Sequence, residues 1–164
     1  MYQPYPGSEQ QPPEPVRHEP PASVVMAVRF MYAGAALSAI SLVILLVTIG
    51  SLRSAIQNAF PHYTASQVHS AEVATIAIAV VLQLVGIALW IWMAMANRAG
   101  KVWARNVATV LFAVNTLFLL LGFARPGALG SRLLGIVIWL AGLGAIVFLW
   151  RKDSSEYFHS PAGR

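Results

Sequence analysis

The chain has no cysteine, and only 10% of its 164 residues are charged. Without cysteine it can form no disulfide, use no thiol nucleophile and hold no metal through a thiolate. Soluble domains usually have about 25% charged residues, so this value is atypical of a protein surrounded by water. Phosphate-binding loops and nucleophile-elbow motifs are missing from the sequence as well. We therefore expect no enzyme activity, no catalytic residue, no cofactor and no bound metal.

What the sequence does contain is four long apolar stretches, in line with its 57% hydrophobic content. A bilayer core about 30 Å thick needs about 20 helical residues, because each residue rises about 1.5 Å. The stretches predict transmembrane helices at about residues 25–50, 66–97, 105–124 and 132–150. We therefore predict an all-α, polytopic membrane protein whose four transmembrane helices form an antiparallel bundle over residues 23–150. Because the second and third connections are short, spans two, three and four are expected to be neighbours.

The loop between the first two spans has an apolar residue at every fourth position, which predicts a short amphipathic helix. These residues are Leu52, Ile56 and Phe60. Pro61 is expected to end this helix. Thr64 followed by Gln67 resembles a capping box, so the second long helix is expected to begin near Ala65.

The two tails and the second connection carry most of the positive charge. The cations on that side are Arg17, Arg29, Arg98, Lys101, Arg105, Arg151, Lys152 and Arg164, and those on the other side are Arg53, Arg125 and Arg132. The positive-inside rule therefore predicts that both termini are cytoplasmic. Residues 1–22 are rich in proline and glutamine and are predicted to be a disordered cytoplasmic tail, and residues 151–164 form a second tail.

Basic and aromatic side chains cluster near the ends of the spans, where they usually anchor a helix in the head-group region. The candidate anchors are Arg29, Trp90, Trp92, Arg98, Lys101, Trp103, Arg105, Trp150, Arg151 and Lys152. This distribution accounts for the net charge of +5 without a nucleic-acid partner. We therefore expect anionic membrane lipids, and no nucleic acid, to bind these cations.

The middle of the predicted spans holds no ionisable residue, and its most polar side chains are Gln83, Asn115 and Thr116. An amide in hydrocarbon needs a hydrogen-bond partner, so Gln83 and Asn115 could bond each other between spans two and three. The alternative is that the three side chains line a polar path in a small oligomeric channel or transporter. Trp139 also lies deep in its span, and its indole N–H needs an acceptor unless the ring packs against a small residue.

Small residues recur four positions apart within the spans, a spacing that lets helices approach closely. The pairs are Gly34 with Ser38, Ala35 with Ala39, and Ala141 with Ala145. Together with the lack of buried charge, they favour a non-enzymatic structural or accessory protein that packs against another membrane protein or against a second copy. A further alternative is an enzyme or lipid-handling protein of the cell envelope that uses His62, His69 and Glu72 outside the membrane, although their spacing matches no helical zinc motif.

Three short motifs around the second connection support a resemblance. They are Trp90-x-Trp-Met-Ala-x-Ala, Arg98-x-Gly-x-x-Trp-Ala-Arg and Thr109-Val-Leu-Phe-x-x-Asn-Thr. With the proline-rich start and the Tyr63-Thr-Ala-x-Gln-Val segment, the chain resembles small four-span integral membrane proteins of actinobacteria. The resemblance implies the four-span topology and a plasma-membrane location, and it implies no catalytic residue.

Overall fold

The computed structural model describes residues 19–123 and 129–159, and in these two ranges the chain contains helices and no strand. The six helices are α1 (Ala22–Val47), α2 (Gly50–Ala59), α3 (Ala65–Arg98), α4 (Val102–Phe123), α5 (Leu129–Leu149) and α6 (Lys152–His159). By length and composition, α1, α3, α4 and α5 could each cross a membrane. The predicted all-α fold with four apolar helices is confirmed. Most of the predicted N-terminal tail lies outside the described residues.

The first connection contains the short helix that the spacing of its apolar residues predicted. Ile56 is the buried residue of α2, which packs against α3, whereas Phe60 is exposed and stacks on Tyr63 with ring centroids 4.7 Å apart. The capping box at the start of α3 is also present. The Thr64 backbone N–H donates to Gln67 Oε1 at 2.8 Å, and the Gln67 N–H donates to Thr64 Oγ1 at 3.4 Å. Both donors would otherwise be unpaired at the helix start.

The turn between α3 and α4 takes only residues 99–101. Gly100 has φ +71°, a left-handed conformation that costs glycine little and other residues more. The Gly100 and Lys101 N–H groups donate to the Asn97 and Ala96 carbonyls at 3.0 and 3.2 Å. These bonds satisfy carbonyls at the end of α3 and start α4 in the opposite direction.

The long helices are not arranged in the order in which they follow each other in the chain. α1 packs along both α3 and α5, and α5 also packs on α4, whereas α3 and α4 make few contacts despite their short connection. Spans three and four, which are α4 and α5, are neighbours as expected, whereas spans two and three, α3 and α4, contact each other less than each contacts another long helix. A short turn fixes only the adjacent ends of two helices, and their side chains decide what each one packs against.

The central position of α1 follows from its small residues. Its buried face includes Ala27, Gly34, Ala35 and Ser38, which recur with the helical period. A Cβ added at Gly34 would lie 2.9 Å from the Trp90 ring of α3. Glycine therefore allows α1 to approach its neighbours more closely than a larger residue would.

A final short helix, α6, folds back onto the end of the bundle where α1 begins. Ser154 and Phe158 are buried, and the Ser154 hydroxyl donates to the Phe148 carbonyl and lies 2.8 Å from Ser23 Oγ. The Tyr157 hydroxyl donates to the Arg98 carbonyl at 3.2 Å. These contacts join α6 to the start of α1 and to the ends of α3 and α5. This segment was expected from the sequence to be a tail, without a helix.

Candidate functional site

Gln83 does not bond Asn115, contrary to the sequence-based expectation. Its Nε2 atom donates to the Ser38 carbonyl of α1 at 2.8 Å, because this face of α3 packs on α1. The Asn115 side chain is exposed and forms no hydrogen bond to any residue that the structure describes. The Gln83 amide therefore joins α3 to α1, whereas the Asn115 amide joins no two of the described helices.

Thr116 takes part in one of two similar contacts that join α4 to α5. The Trp139 indole N–H donates to Thr116 Oγ1 at 2.8 Å, and this hydroxyl donates to the Phe112 carbonyl at 2.8 Å. The predicted need of Trp139 for an acceptor is confirmed. A similar pair of hydrogen bonds lies at one end of the bundle. There the Trp150 indole donates to Thr109 Oγ1 at 3.1 Å, and the Thr109 hydroxyl donates to the Arg105 carbonyl at 2.9 Å. The second contact was not predicted, although both threonines and both tryptophans are visible in the sequence.

A cavity of about 180 Å³ lies inside the bundle and is lined by residues of all four long helices. Its lining is apolar except for Asn115, and it includes Met31, Gly86, Trp90, Met93, Ala108, Phe112 and Ile146. Because α3 and α4 make few contacts and Asn115 is exposed, the cavity opens between these two helices. We call it the α3–α4 cavity.

Arg105 lies at one end of the bundle, in the first turns of α4. Its side chain is only 7% exposed, and its guanidinium carbon lies 3.8 Å from the centroid of the Trp150 ring and 6.0 Å from that of Phe158. Over the described parts of the chain, the guanidinium forms no hydrogen bond and no ion pair, and its Nε atom is fully buried. A cation held this deeply normally has a hydrogen-bonded anionic partner. We call Arg105, Thr109, Trp150 and Phe158 the Arg105 cluster.

A second buried polar group lies at the same end of the bundle. Asn97 is fully buried, and its Nδ2 atom donates to the Met93 carbonyl at 2.8 Å. Its Oδ1 atom is buried and has no hydrogen-bond partner among the described residues. Asn97 was not singled out from the sequence, because an asparagine near a helix end is usually a solvated capping residue.

The predicted lipid anchors fall into two groups in the structure. The side chains of Arg29, Trp92, Arg98, Lys101, Trp103, Trp150, Arg151 and Lys152 are exposed. Trp92 and Trp103 also contact each other, with ring centroids 5.4 Å apart. Arg105 differs from the expected position because it is buried, and Trp90 differs because its ring lies against Gly34 of α1 and faces Gly142 of α5. Helical spacing alone could not show that residues of other helices cover these two side chains.

The structure does not bring His62, His69 and Glu72 together in a metal-binding arrangement. In residues 19–123 and 129–159, no group of three or more histidine or acidic side chains could hold a metal ion. His62 and His69 are exposed, and Glu72 is half-buried. The geometry therefore does not favour the zinc-dependent alternative.

The functional geometry consists of the Arg105 cluster, the α3–α4 cavity and two tryptophan–threonine contacts. Comparisons of the chain with known protein families, with curated proteins and with solved structures found no match.

Proposed function

We propose that this chain is a non-enzymatic accessory protein of the plasma membrane, with both termini in the cytoplasm. It binds anionic lipids through the cations at its cytoplasmic end and associates sideways with another membrane protein or a second copy. The placement is supported by four helices long and apolar enough to span a membrane, and the orientation by the distribution of cations. The resemblance to small four-span actinobacterial proteins agrees with this setting.

The observation that carries the proposal of lateral association is the unequal burial of the four long helices. None of the residues in the most apolar segment of α3 is buried and only 6% of those of α4 are, whereas 22% of those of α1 and of α5 are buried. The outward faces of α3 and α4 therefore leave much apolar surface available to a partner helix. Helices in lipid associate through packing and interhelical hydrogen bonds, and such faces provide the required area.

The absence of native cysteine makes this proposal directly testable by crosslinking. Single cysteines replace Leu82 on α3 or Val110 on α4, which are 65% and 61% exposed. Val147→Cys on α5, at a residue 55% exposed, is the matched control. In native membranes, a bifunctional maleimide is expected to give larger adducts from Leu82→Cys or Val110→Cys and none from Val147→Cys.

The mass of the adduct then identifies the partner. An adduct of twice 17.7 kDa indicates a second copy, and any other mass indicates a different protein. If neither α3 nor α4 gives an adduct in native membranes, lateral association through these faces is refuted. Extraction with alkaline carbonate tests the membrane placement separately, because an integral protein stays in the pellet.

The channel alternative receives less support from the geometry. Gln83 and Thr116 are each used in a hydrogen bond to a different neighbouring helix, and Asn115 alone lines the α3–α4 cavity. The three side chains therefore share no polar path within one chain. Flux through liposomes containing the wild-type protein that disappears when Gln83 and Asn115 are replaced by leucine would restore this alternative.

A further inference from the structure

Arg105 is a buried cation whose hydrogen-bond donors lack acceptors. Arginine is always charged in proteins and carries five N–H donors. No described residue accepts a hydrogen bond from this side chain, and the exposed acidic residues of α6, Asp153 and Glu156, form no ion pair with it. Nε is fully buried, whereas the terminal nitrogens are not among the buried atoms without a partner and so can be reached from the surface. An anion at this surface would satisfy donors that the protein leaves open.

The Trp150 ring orients the guanidinium for such an anion. Stacking at 3.8 Å occupies one face of the planar group and leaves its N–H donors available in the plane. The ring itself is held by its bond to Thr109, which is bonded in turn to the Arg105 backbone. Planar, in-plane donors suit the paired oxygens of a phosphate.

On three helices, a residue that lines the α3–α4 cavity lies about one helical turn from a residue at the Arg105 end of the bundle. Ala108 lies three residues after Arg105 on α4, Ile146 lies four before Trp150 on α5, and Met93 lies four before Asn97 on α3. One turn is about 5.4 Å, so a charged group at Arg105 and an apolar group in the cavity lie within the length of one amphiphile. A cavity of about 150 Å³ can hold a molecule the size of benzene, and this one is about 180 Å³.

From these contacts we propose that the Arg105 cluster and the α3–α4 cavity together bind one anionic phospholipid. The guanidinium binds the lipid phosphate, and part of one acyl chain enters the cavity through the opening between α3 and α4. The exposed cations Arg98 and Lys101, at the turn between these helices, complement the negative head group. The inference deepens the proposed function and rests on its placement of the chain in a membrane.

The test uses the full-length protein in an uncharged detergent, with bound lipid counted by native mass spectrometry. The probes are phosphatidylglycerol and phosphatidylcholine with identical acyl chains. Wild-type protein is expected to retain one phosphatidylglycerol and to prefer it over phosphatidylcholine. Arg105→Gln is expected to weaken phosphatidylglycerol binding about tenfold or more, the effect of losing one charge-assisted hydrogen bond.

Two further variants test whether the loss of binding comes from the Arg105 side chain itself. Arg53→Gln removes an exposed cation on α2 and is expected to change binding less than about twofold. Arg105→Lys keeps the charge without the planar fork, so we expect it to keep a reduced preference for the anionic lipid. If Arg105→Gln binds phosphatidylglycerol as tightly as the wild type, the phosphate site is refuted. If the wild type does not distinguish the two lipids, the assignment to an anionic phospholipid is refuted.

The cavity is tested with a pair of glycine variants. Neither Gly86, which lines the cavity, nor Gly122 on α4 has a described atom within 4 Å of an added Cβ. We expect Gly86→Leu to weaken retention of the lipid because its side chain enters the space of the acyl chain, and Gly122→Leu to leave retention unchanged. Equal retention by Gly86→Leu and Gly122→Leu refutes the acyl-chain part of the inference.

Soluble glycerol 3-phosphate distinguishes a lipid from a free phosphate. We expect millimolar concentrations not to displace the lipid, because the soluble compound has no chain for the cavity. Complete displacement overturns the assignment to a lipid. If the protein resists carbonate extraction but Arg105→Gln has no effect on lipid binding, only this inference fails and the proposed membrane placement stands.

Discussion

Gly34 is the position at which the packing of α1 can be tested most directly. Gly34→Ala would place a methyl group 2.9 Å from Cε2 and Cζ2 of Trp90, whereas carbon atoms in favourable contact are about 3.5–4.0 Å apart. The ring or the helix must therefore move by roughly 0.6 Å. The Trp90 ring borders the α3–α4 cavity and so has some room to move. The loss of stability from overpacking is therefore expected to be in the lower part of the range known for protein cores.

The expected effect is the difference between two opposing contributions. Overpacking a tight site costs about 1–3 kcal/mol, whereas replacing glycine by alanine inside a helix contributes about 0.5–1 kcal/mol of stability. With an overpacking cost of about 1–2 kcal/mol, we expect a net loss of at most about 1.5 kcal/mol in the free energy of unfolding. The assay is reversible unfolding in mixed micelles by titration with dodecyl sulfate, followed by circular dichroism.

Gly86→Ala is the matched control, since the added methyl group would meet no described atom within 4 Å. It is expected to raise the stability by about 0.5–1 kcal/mol through helix propensity alone. Combining Gly34→Ala with Trp90→Phe, which has a smaller ring, should restore part of the loss, with a coupling of about 1 kcal/mol. If Gly34→Ala raises the free energy of unfolding as much as Gly86→Ala does, the close approach of α1 to α3 is refuted.

The other predictions concern polar contacts and the turn. Gln83→Leu removes a bond to α1 and should lower stability by about 0.6–1.7 kcal/mol, whereas Asn115→Leu removes none and should not lower it; the opposite ranking in the same titration would contradict the contacts. Thr116→Val leaves the Trp139 indole without its acceptor, so we expect a loss of about 1–2 kcal/mol and altered tryptophan fluorescence, and unchanged stability would argue against this bond. Gly100→Ala forces alanine to φ +71° and towards α6, and should cost about 1–2 kcal/mol and speed proteolysis of the C-terminal segment. An unaltered cleavage rate would mean that α6 does not depend on this turn.

Features that depend on local chemistry could be read from the sequence. The lengths of the apolar helices follow from composition, and the start of α3 follows from the Thr64 and Gln67 pair. A glycine in the short second connection is also visible in the sequence, and Gly100 adopts the left-handed conformation that its lack of Cβ permits. Each of these requires knowledge of only a few neighbouring residues.

Features that depend on which helix faces which could not be read in the same way. The amide of Gln83 requires an acceptor, but the sequence does not say that α1 supplies it. The burial of Arg105 depends on Trp150, which is far away in the chain. Small residues such as Gly34 indicated close packing without naming the partner helix.

The helix α6 is a case in which a usable signal was present. Ser154 and Phe158 are four residues apart and both are buried, as expected for one face of a short helix. Its polar residues and its position after the last span favoured the interpretation as a tail. Only the contacts with α1 and α3 show that it closes the end of the bundle.

The position of α1 between α3 and α5 has a consequence for biosynthesis. The first long helix to leave the ribosome finds one of its two main neighbours only when α5, more than eighty residues later, has been made. In the membrane proposed here, the side of α1 that packs on α5, which includes Phe30, therefore stays uncovered while α3 and α4 are inserted. Synthesis that stops before α5 would leave this side of α1 available to chaperones and quality-control proteases, so the packing of α1 is complete only after α5 has been made.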